Sequence, residues 1–116
     1  MTAIMYGIPN CDTIKKAQKW LKENNIPFTF HDYRKDGLDE SLLEKLLAHS
    51  SWETLLNKRS TSYRALTDNQ KQTLNEDNAK ALFIESPTLI KRPVIIYKES
   101  AIVGFNIKNY QTFFAV

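Results

Sequence analysis

The first 33 residues constrain the fold more than any other stretch of the chain. Thr2-Ala-Ile-Met-Tyr-Gly-Ile8 is a short apolar run bounded by Gly7, Pro9 and Asn10, the pattern of a buried strand that runs into a tight turn. Helix signals begin at Asp12 or Thr13. Ile14, Ala17 and Leu21 fall on one face with Trp20 beside them, while Lys15, Lys16, Lys19, Lys22 and Glu23 fall elsewhere. Asn24-Asn25 ends this helix and Pro27 reinforces the stop. Phe28-Thr-Phe-His-Asp-Tyr33 then alternates apolar and polar residues, the period of a half-exposed strand. Strand, helix and strand in that span make a βαβ unit, which implies parallel pairing and a right-handed crossover.

Asp36-Gly37 breaks the chain, and Asp39 with Leu42, Leu43, Leu46 and Leu47 reads as a capped amphipathic helix. Residues 39–86 offer no strand. Trp52, Leu55 and Leu56 suggest a further helical segment, and Asp68 to Glu85, with Leu74, Ala81, Leu82 and Ile84, suggests one or two more. The pattern changes again at Lys91-Arg92-Pro93. Val94–Tyr97 and Ala101–Gly104, linked by Lys98-Glu-Ser100, read as a β-hairpin, and residues 106–114 as a terminal helix with Ile107, Tyr110, Phe113 and Phe114 apolar. The order βαβ, helical block, ββα is an α/β arrangement of thioredoxin-like type, with helices inserted at about 39–86 between its halves.

The length of 116 residues fits one domain, 1–116, with 42% apolar residues to build a core. A net charge of +3, spread along the chain, gives no reason to expect nucleic acid or an anionic membrane as partner. No run reaches the roughly 18 apolar residues that span a bilayer, and residues 1–10 lack the pattern of a signal peptide. A single cysteine rules out an internal disulfide and a thiolate zinc site, and His31 and His49 lie too far apart to read as a ligand pair, so no metal is expected. The lone thiol predicts a cytoplasmic, reducing setting, and a monomer is expected.

That thiol carries the chemistry. Only the thiolate is reactive, and a free thiol of pKa about 8.5 is a few per cent ionised at pH 7. Asn10-Cys11-Asp12-Thr13 lies between strand and helix, where unpaired N–H groups and the helix dipole favour an anion. The dipole supplies about 0.3–1 kcal/mol, less than one pKa unit, so an activated thiol needs a cation as well. Asp12 works the other way, since a negative charge raises a thiol pKa. Arg92 is the expected cation, because the strand that begins at Val94 lies next to the first strand and its start faces the Cys11 loop. Pro93 falls where thioredoxin-like folds hold a cis proline, although an X–Pro bond is cis in only about one case in twenty. Arg59 and Arg64, in the helical block, are further candidates for an anion site. His31, on an alternating strand, reads as a polar or hydrogen-bonded residue and not as a base. Trp20, Phe28, Phe30, Trp52 and Phe113 read as core or core-edge aromatics.

Tyr6-Gly-Ile-Pro-Asn-Cys11-Asp-Thr-Ile-Lys-Lys-Ala17, His31-Asp-Tyr-Arg34, Asp36-Gly-Leu38, Trp52-Glu-Thr-Leu-Leu-Asn57 and Ile90-Lys-Arg-Pro93 resemble, in order and over essentially the whole chain, the ArsC/Spx family, and in particular its YffB-like branch. The resemblance implies a thioredoxin-like domain whose nucleophile matches Cys11 and whose arginine before the proline matches Arg92. Arsenate-reducing members use two further arginines. Where the first is expected, this chain has Asn57, with Arg59 two places on; where the second is expected, it has Phe105. Glutaredoxin-type enzymes often carry a second cysteine three residues after the first, and here that position is Ile14.

The resemblance therefore implies a glutathione-dependent thiol reductase acting by mixed disulfides between Cys11 and an outside thiol. No cofactor is bound; glutathione serves as co-substrate, and the partner is a small or protein disulfide. Catalytic roles fall on Cys11 and Arg92, and binding roles on Asn10, Asp12, Thr13, Arg59 and Pro93. Two alternatives accompany this reading. Spx-like relatives act by contacting RNA polymerase, though those regulators often carry a cysteine pair that Ile14 excludes here. An arsenate reductase would use Cys11 as arsenate nucleophile, against which the displaced arginines argue.

Overall fold

The computed structural model describes residues 2–116. They divide into two compact units, one formed by the residues up to Gly37 together with Arg92–Val116, the other by Leu38–Lys91.

The first unit contains strand β1 (Ala3–Gly7), helix α1 (Asp12–Glu23) and strand β2 (Phe28–Asp32) from the start of the chain. β1 and β2 pair in parallel, with Ala3 opposite Phe28 and Gly7 opposite Asp32, so the βαβ expectation holds. α1 begins where expected and ends at Asn24, whose N–H donates to the Trp20 carbonyl, while the Asn25 N–H donates to that of Lys22. Asn25 then takes a left-handed φ of 56°. The predicted apolar face of α1 is the buried one: Ile14, Ala17, Trp20 and Leu21. They form one core with Ala3, Met5, Ile95, Tyr110 and Phe114.

The rest of this unit supplies strands β3 (Val94–Tyr97) and β4 (Ser100–Val103) and, at the end of the chain, helix Ile107–Phe114. The sheet order is β2-β1-β3-β4, with β3 antiparallel to both of its neighbours. The hairpin is shifted from its expected position by one residue. Ser100 belongs to β4 and pairs with Tyr97, so the turn is Lys98-Glu99 alone. Both turn residues have left-handed φ, 50° and 63°, the backbone that lets a two-residue turn follow the strand twist. Tyr110, fully buried, donates its hydroxyl to the Gly104 carbonyl at 2.5 Å and meets the rings of Trp20 and Phe105 edge-on.

The second unit is helical. α2 (Glu40–His49) is capped by the Asp39 carboxylate, which accepts from the Leu42 N–H at 2.8 Å. Leu43 and Leu46 are buried, while Leu42 and Leu47 are half-buried. Short helices α3 (Trp52–Leu55), α4 (Thr61–Arg64) and α5 (Asp68–Gln72) follow, each begun by a Ser or Thr side-chain cap. α6 (Glu76–Glu85) restarts after Thr73-Leu74-Asn75, with Asn75 as cap. Its buried side is Ala79 and Phe83, whereas Ala81 and Ile84, two of the apolar residues that suggested this helix from the sequence, are exposed. The reason is register: a new N-cap at Asn75 sets a fresh helix, and apolar residues are spread all around it, so composition could not choose the face. α6 packs against α2, α3 and a 3₁₀ turn at Pro87–Leu89. An isolated antiparallel bridge, Leu56 with Ile90, is the strand-like element of this unit. With these helices in chain order, the terminal helix is α7.

Candidate functional site

The loop Ile8-Pro9-Asn10 carries the chain from β1 into α1. Asn10 takes a left-handed φ of 64°, which asparagine adopts more readily than most residues. This bend delivers Cys11 as the N-cap of α1, in extended conformation with φ −112° and ψ 125°. Its carbonyl accepts the first helical hydrogen bond, from the Lys15 N–H at 3.0 Å. Asp12 is exposed in the first turn and Thr13 half-buried.

The Cys11 thiol is half-buried and makes no full capping bond in its neutral form. Burial pushes its pKa up. That effect is outweighed by the Ile14 N–H, by a hydrogen bond from the Arg92 side chain, by the Thr13 N–H and by the Arg92 charge. The sum holds Cys11 below the ordinary thiol value. Donors that favour the sulfur anion thus come from two places: the open end of α1 and Arg92, two residues before β3. Arg92 is there because Val94 stands opposite Tyr6 across β1 and β3. The Arg92-Pro93 bond is cis, Pro93 is buried, and its carbonyl accepts from the Gly104 N–H at 2.8 Å.

Cys11, Asn10, Asp12, Thr13, Arg92 and Pro93 therefore all belong to the first unit. Arg59 does not. It is an exposed residue of the second unit, in a turn where its N–H donates to Asn57 Oδ1 at 3.1 Å. Phe105, at the position where the resemblance implies an arginine in an arsenate-reducing protein, is half-buried against the core and meets Tyr110 edge-on at 5.0 Å. Among the described residues no group of three or more His, Cys, Asp or Glu could hold a metal ion. No helix among them is long and apolar enough to cross a membrane. His31 is a hydrogen-bonded residue, as expected: its Nε2–H donates to the Gly37 carbonyl at 2.8 Å, and its ring lies 5.2 Å from that of Tyr6.

Two contributors were not read from the sequence. The Ile14 N–H is one, visible only once Cys11 is fixed as the N-cap. Tyr33 is the other. It directly follows β2, is 3% exposed, and its hydroxyl has no hydrogen-bond partner. Burial pushes its phenol well above the ordinary range; Tyr6 adds to the rise and the Arg92 charge opposes it. The sequence signal for Tyr33 was its place at the end of an alternating strand beside the Cys11 loop.

A parallel βα crossover, an antiparallel hairpin entered through a cis proline and a thiol at the first helix start define a thioredoxin-like protein with a single cysteine. Residues 6–113 match the model of the ArsC family, and the chain belongs to that family. It is 49% identical over 111 residues to an uncharacterised protein of Haemophilus influenzae, covering 96% of this chain and 97% of that one. A solved structure described as YffB protein superposes with a TM-score of 0.87 at 39% identity, covering 95% of this chain and 96% of that one. Global transcriptional regulator Spx 1 of Oceanobacillus iheyensis is 29% identical over 111 residues, 94% of this chain and 84% of that protein.

Proposed function

We propose that this protein is a glutathione-dependent thiol reductase that works in the cytoplasm through Cys11 alone. The observation that carries the reading is a thiol held below its ordinary pKa by Arg92 and the α1 N–H groups, in a chain with one cysteine. Such a thiol can exchange only with sulfur from outside the chain. The Cys11 thiolate attacks the glutathione sulfur of a mixed disulfide, that S–S bond breaks, and the released thiolate takes a proton from solvent. A second glutathione thiolate then attacks the Cys11–glutathione bond. Oxidised glutathione leaves, Cys11 returns as thiolate, and the substrate has gained the two electrons. Arg92 stabilises the thiolate as attacker in the first step and as leaving group in the second. Asn10, Asp12, Thr13 and Pro93 are the candidates to bind glutathione beside the sulfur; Arg59 is a separate candidate for an acidic group of the substrate.

Mass spectrometry after incubation with oxidised glutathione tests this. A single glutathione adduct on Cys11, removed by added glutathione, is expected. Absence of that adduct, or an adduct that resists glutathione, contradicts the reading.

The likeness to Spx 1 over nearly the whole chain supports a second reading, a module that binds RNA polymerase. Recovery of polymerase with the immobilised protein, unaffected by Cys11→Ala, would favour it over the reductase.

A further inference from the structure

We propose that the second unit holds a binding site for a small aromatic carboxylate, in a pocket where α3, α4 and α5 meet, with Lys71 as the group that takes the carboxylate. The pocket has a volume of about 200 Å³ and an apolar lining of Trp52, Leu56, Tyr63 and Leu74. Three short helices bring these residues together. Trp52 opens α3 and Leu56 closes it, Tyr63 lies in α4, and Leu74 follows the end of α5, the helix that carries Lys71. Leu56 is 4% exposed, and the backbone around it is tied down. It bridges to Ile90, the Asn57 N–H donates to the Leu89 carbonyl at 2.7 Å, and the Lys91 N–H donates to the Leu55 carbonyl at 2.7 Å. This side of the pocket is therefore formed before a ligand arrives, as small-molecule sites usually are.

Size and charge select the ligand. Pockets for drug-sized molecules measure about 300–1,000 Å³, so this one holds a body of one or two rings. Trp52 and Tyr63 are half-buried, and among the described residues neither ring packs on another aromatic ring. A planar ring can cover the surface they leave open. The charged lining is Glu53, Lys58 and Lys71, one carboxylate against two ammonium groups. Glu53 and Lys58 are exposed, so water and salt screen them. Lys71 is half-buried, and its Nζ lies 5.1 Å from the centre of the Tyr63 ring. Among the described residues neither lysine is in an ion pair; those of Lys80 with Glu40 and Glu44 involve other side chains. An ammonium has three donors, and one that is partly withdrawn from water favours an anionic acceptor. A carboxylate at Lys71 balances the charge of the lining and leaves the attached ring against Trp52 and Tyr63. The inference is independent of the chemistry at Cys11.

The test titrates the full chain with naphthoate and with naphthamide, its neutral counterpart of the same shape. The indole N–H resonance of Trp52, identified by its loss in Trp52→Phe, reports binding by NMR. Naphthoate should shift this resonance saturably and bind about tenfold more tightly than naphthamide, the gap between a charge-assisted and a neutral hydrogen bond. In Lys71→Gln, naphthoate should fall to the level of the amide while the affinity for the amide itself stays as in wild type. A lysine that merely supports Tyr63 would weaken both ligands alike and leave the advantage of the acid intact, which overturns the inference. Equal affinity of wild type for acid and amide overturns it without recourse to the variant. So does the absence of a saturable shift with naphthoate.

Discussion

Ile14 Cδ1 occupies the space that a β-carbon on Gly7 would need, so the first turn of α1 rests directly on the backbone of β1. The same residue offers its N–H to the Cys11 sulfur. One residue thus couples the packing of helix on strand to the ionisation of the thiol.

Gly7→Ala should disturb both. The added methyl must displace Ile14, which is 2% exposed and has little room to move. Overpacking of this kind costs about 1–3 kcal/mol. The thermal midpoint should fall by several degrees, and alkylation of Cys11 at pH 7 should slow as the Ile14 N–H is carried off the sulfur. An unchanged midpoint would show that the Ile14 side chain turns aside without cost.

Arg92→Ala removes a hydrogen bond and a charge that favour the thiolate, while the Thr13 and Ile14 N–H groups remain. The Cys11 pKa should rise. Below both pKa values, each unit of rise slows alkylation about tenfold. Rates of iodoacetamide reaction measured against pH give the pKa directly. Superimposable profiles would remove Arg92 from the site.

Stability should also respond to pH through Cys11. Its folded pKa lies below the unfolded value of about 8.5. Between the two, the unfolded chain binds more protons, so stability rises with pH there. The contribution is fully present above the unfolded pKa and is lost as pH falls through the folded one. Denaturant midpoints of wild type should therefore gain on those of Cys11→Ala on going from pH 6 to pH 9. A constant difference between the two proteins would mean that the thiol is not depressed.

Phe105→Arg introduces the residue type that the sequence resemblance associates with arsenate reduction, and it should weaken the protein. Phe105 packs on the core and meets Tyr110 edge-on, and Tyr110 in turn meets Trp20 of α1. Loss of this contact and of the partly buried ring should cost about 1–3 kcal/mol. Urea midpoints measure it; a variant as stable as wild type would show that the ring contact contributes nothing.

The sequence was most legible where period and punctuation agreed. Turn residues at Pro9-Asn10 and Asn24-Asn25 framed α1, its apolar residues fell on one side, and the strand order then placed Arg92 beside Cys11. In the helical block that agreement failed. α6 carries apolar residues on every side, and its buried pair, Ala79 and Phe83, follows from a cap at Asn75 that restarts the helix after Leu74. The Lys98-Glu99 turn has neither Gly nor Asn, the usual marks of left-handed backbone, so the hairpin was set one residue off. Tyr33 was hidden for another reason. Alternation marks the end of a strand as exposed, and only the assembled sheet shows a hydroxyl sealed there without a partner.

Parallel pairing of β1 with β2 makes α1, with the turns at its two ends, the covalent route between them. The helix start that activates Cys11 is therefore secured by the same docking event that closes the βαβ loop. Thiol reactivity becomes a clock for folding. During refolding, the rise of Cys11 alkylation above the rate of an unfolded thiol marks the moment at which β2 has found β1 and Arg92 has arrived from the far end of the chain.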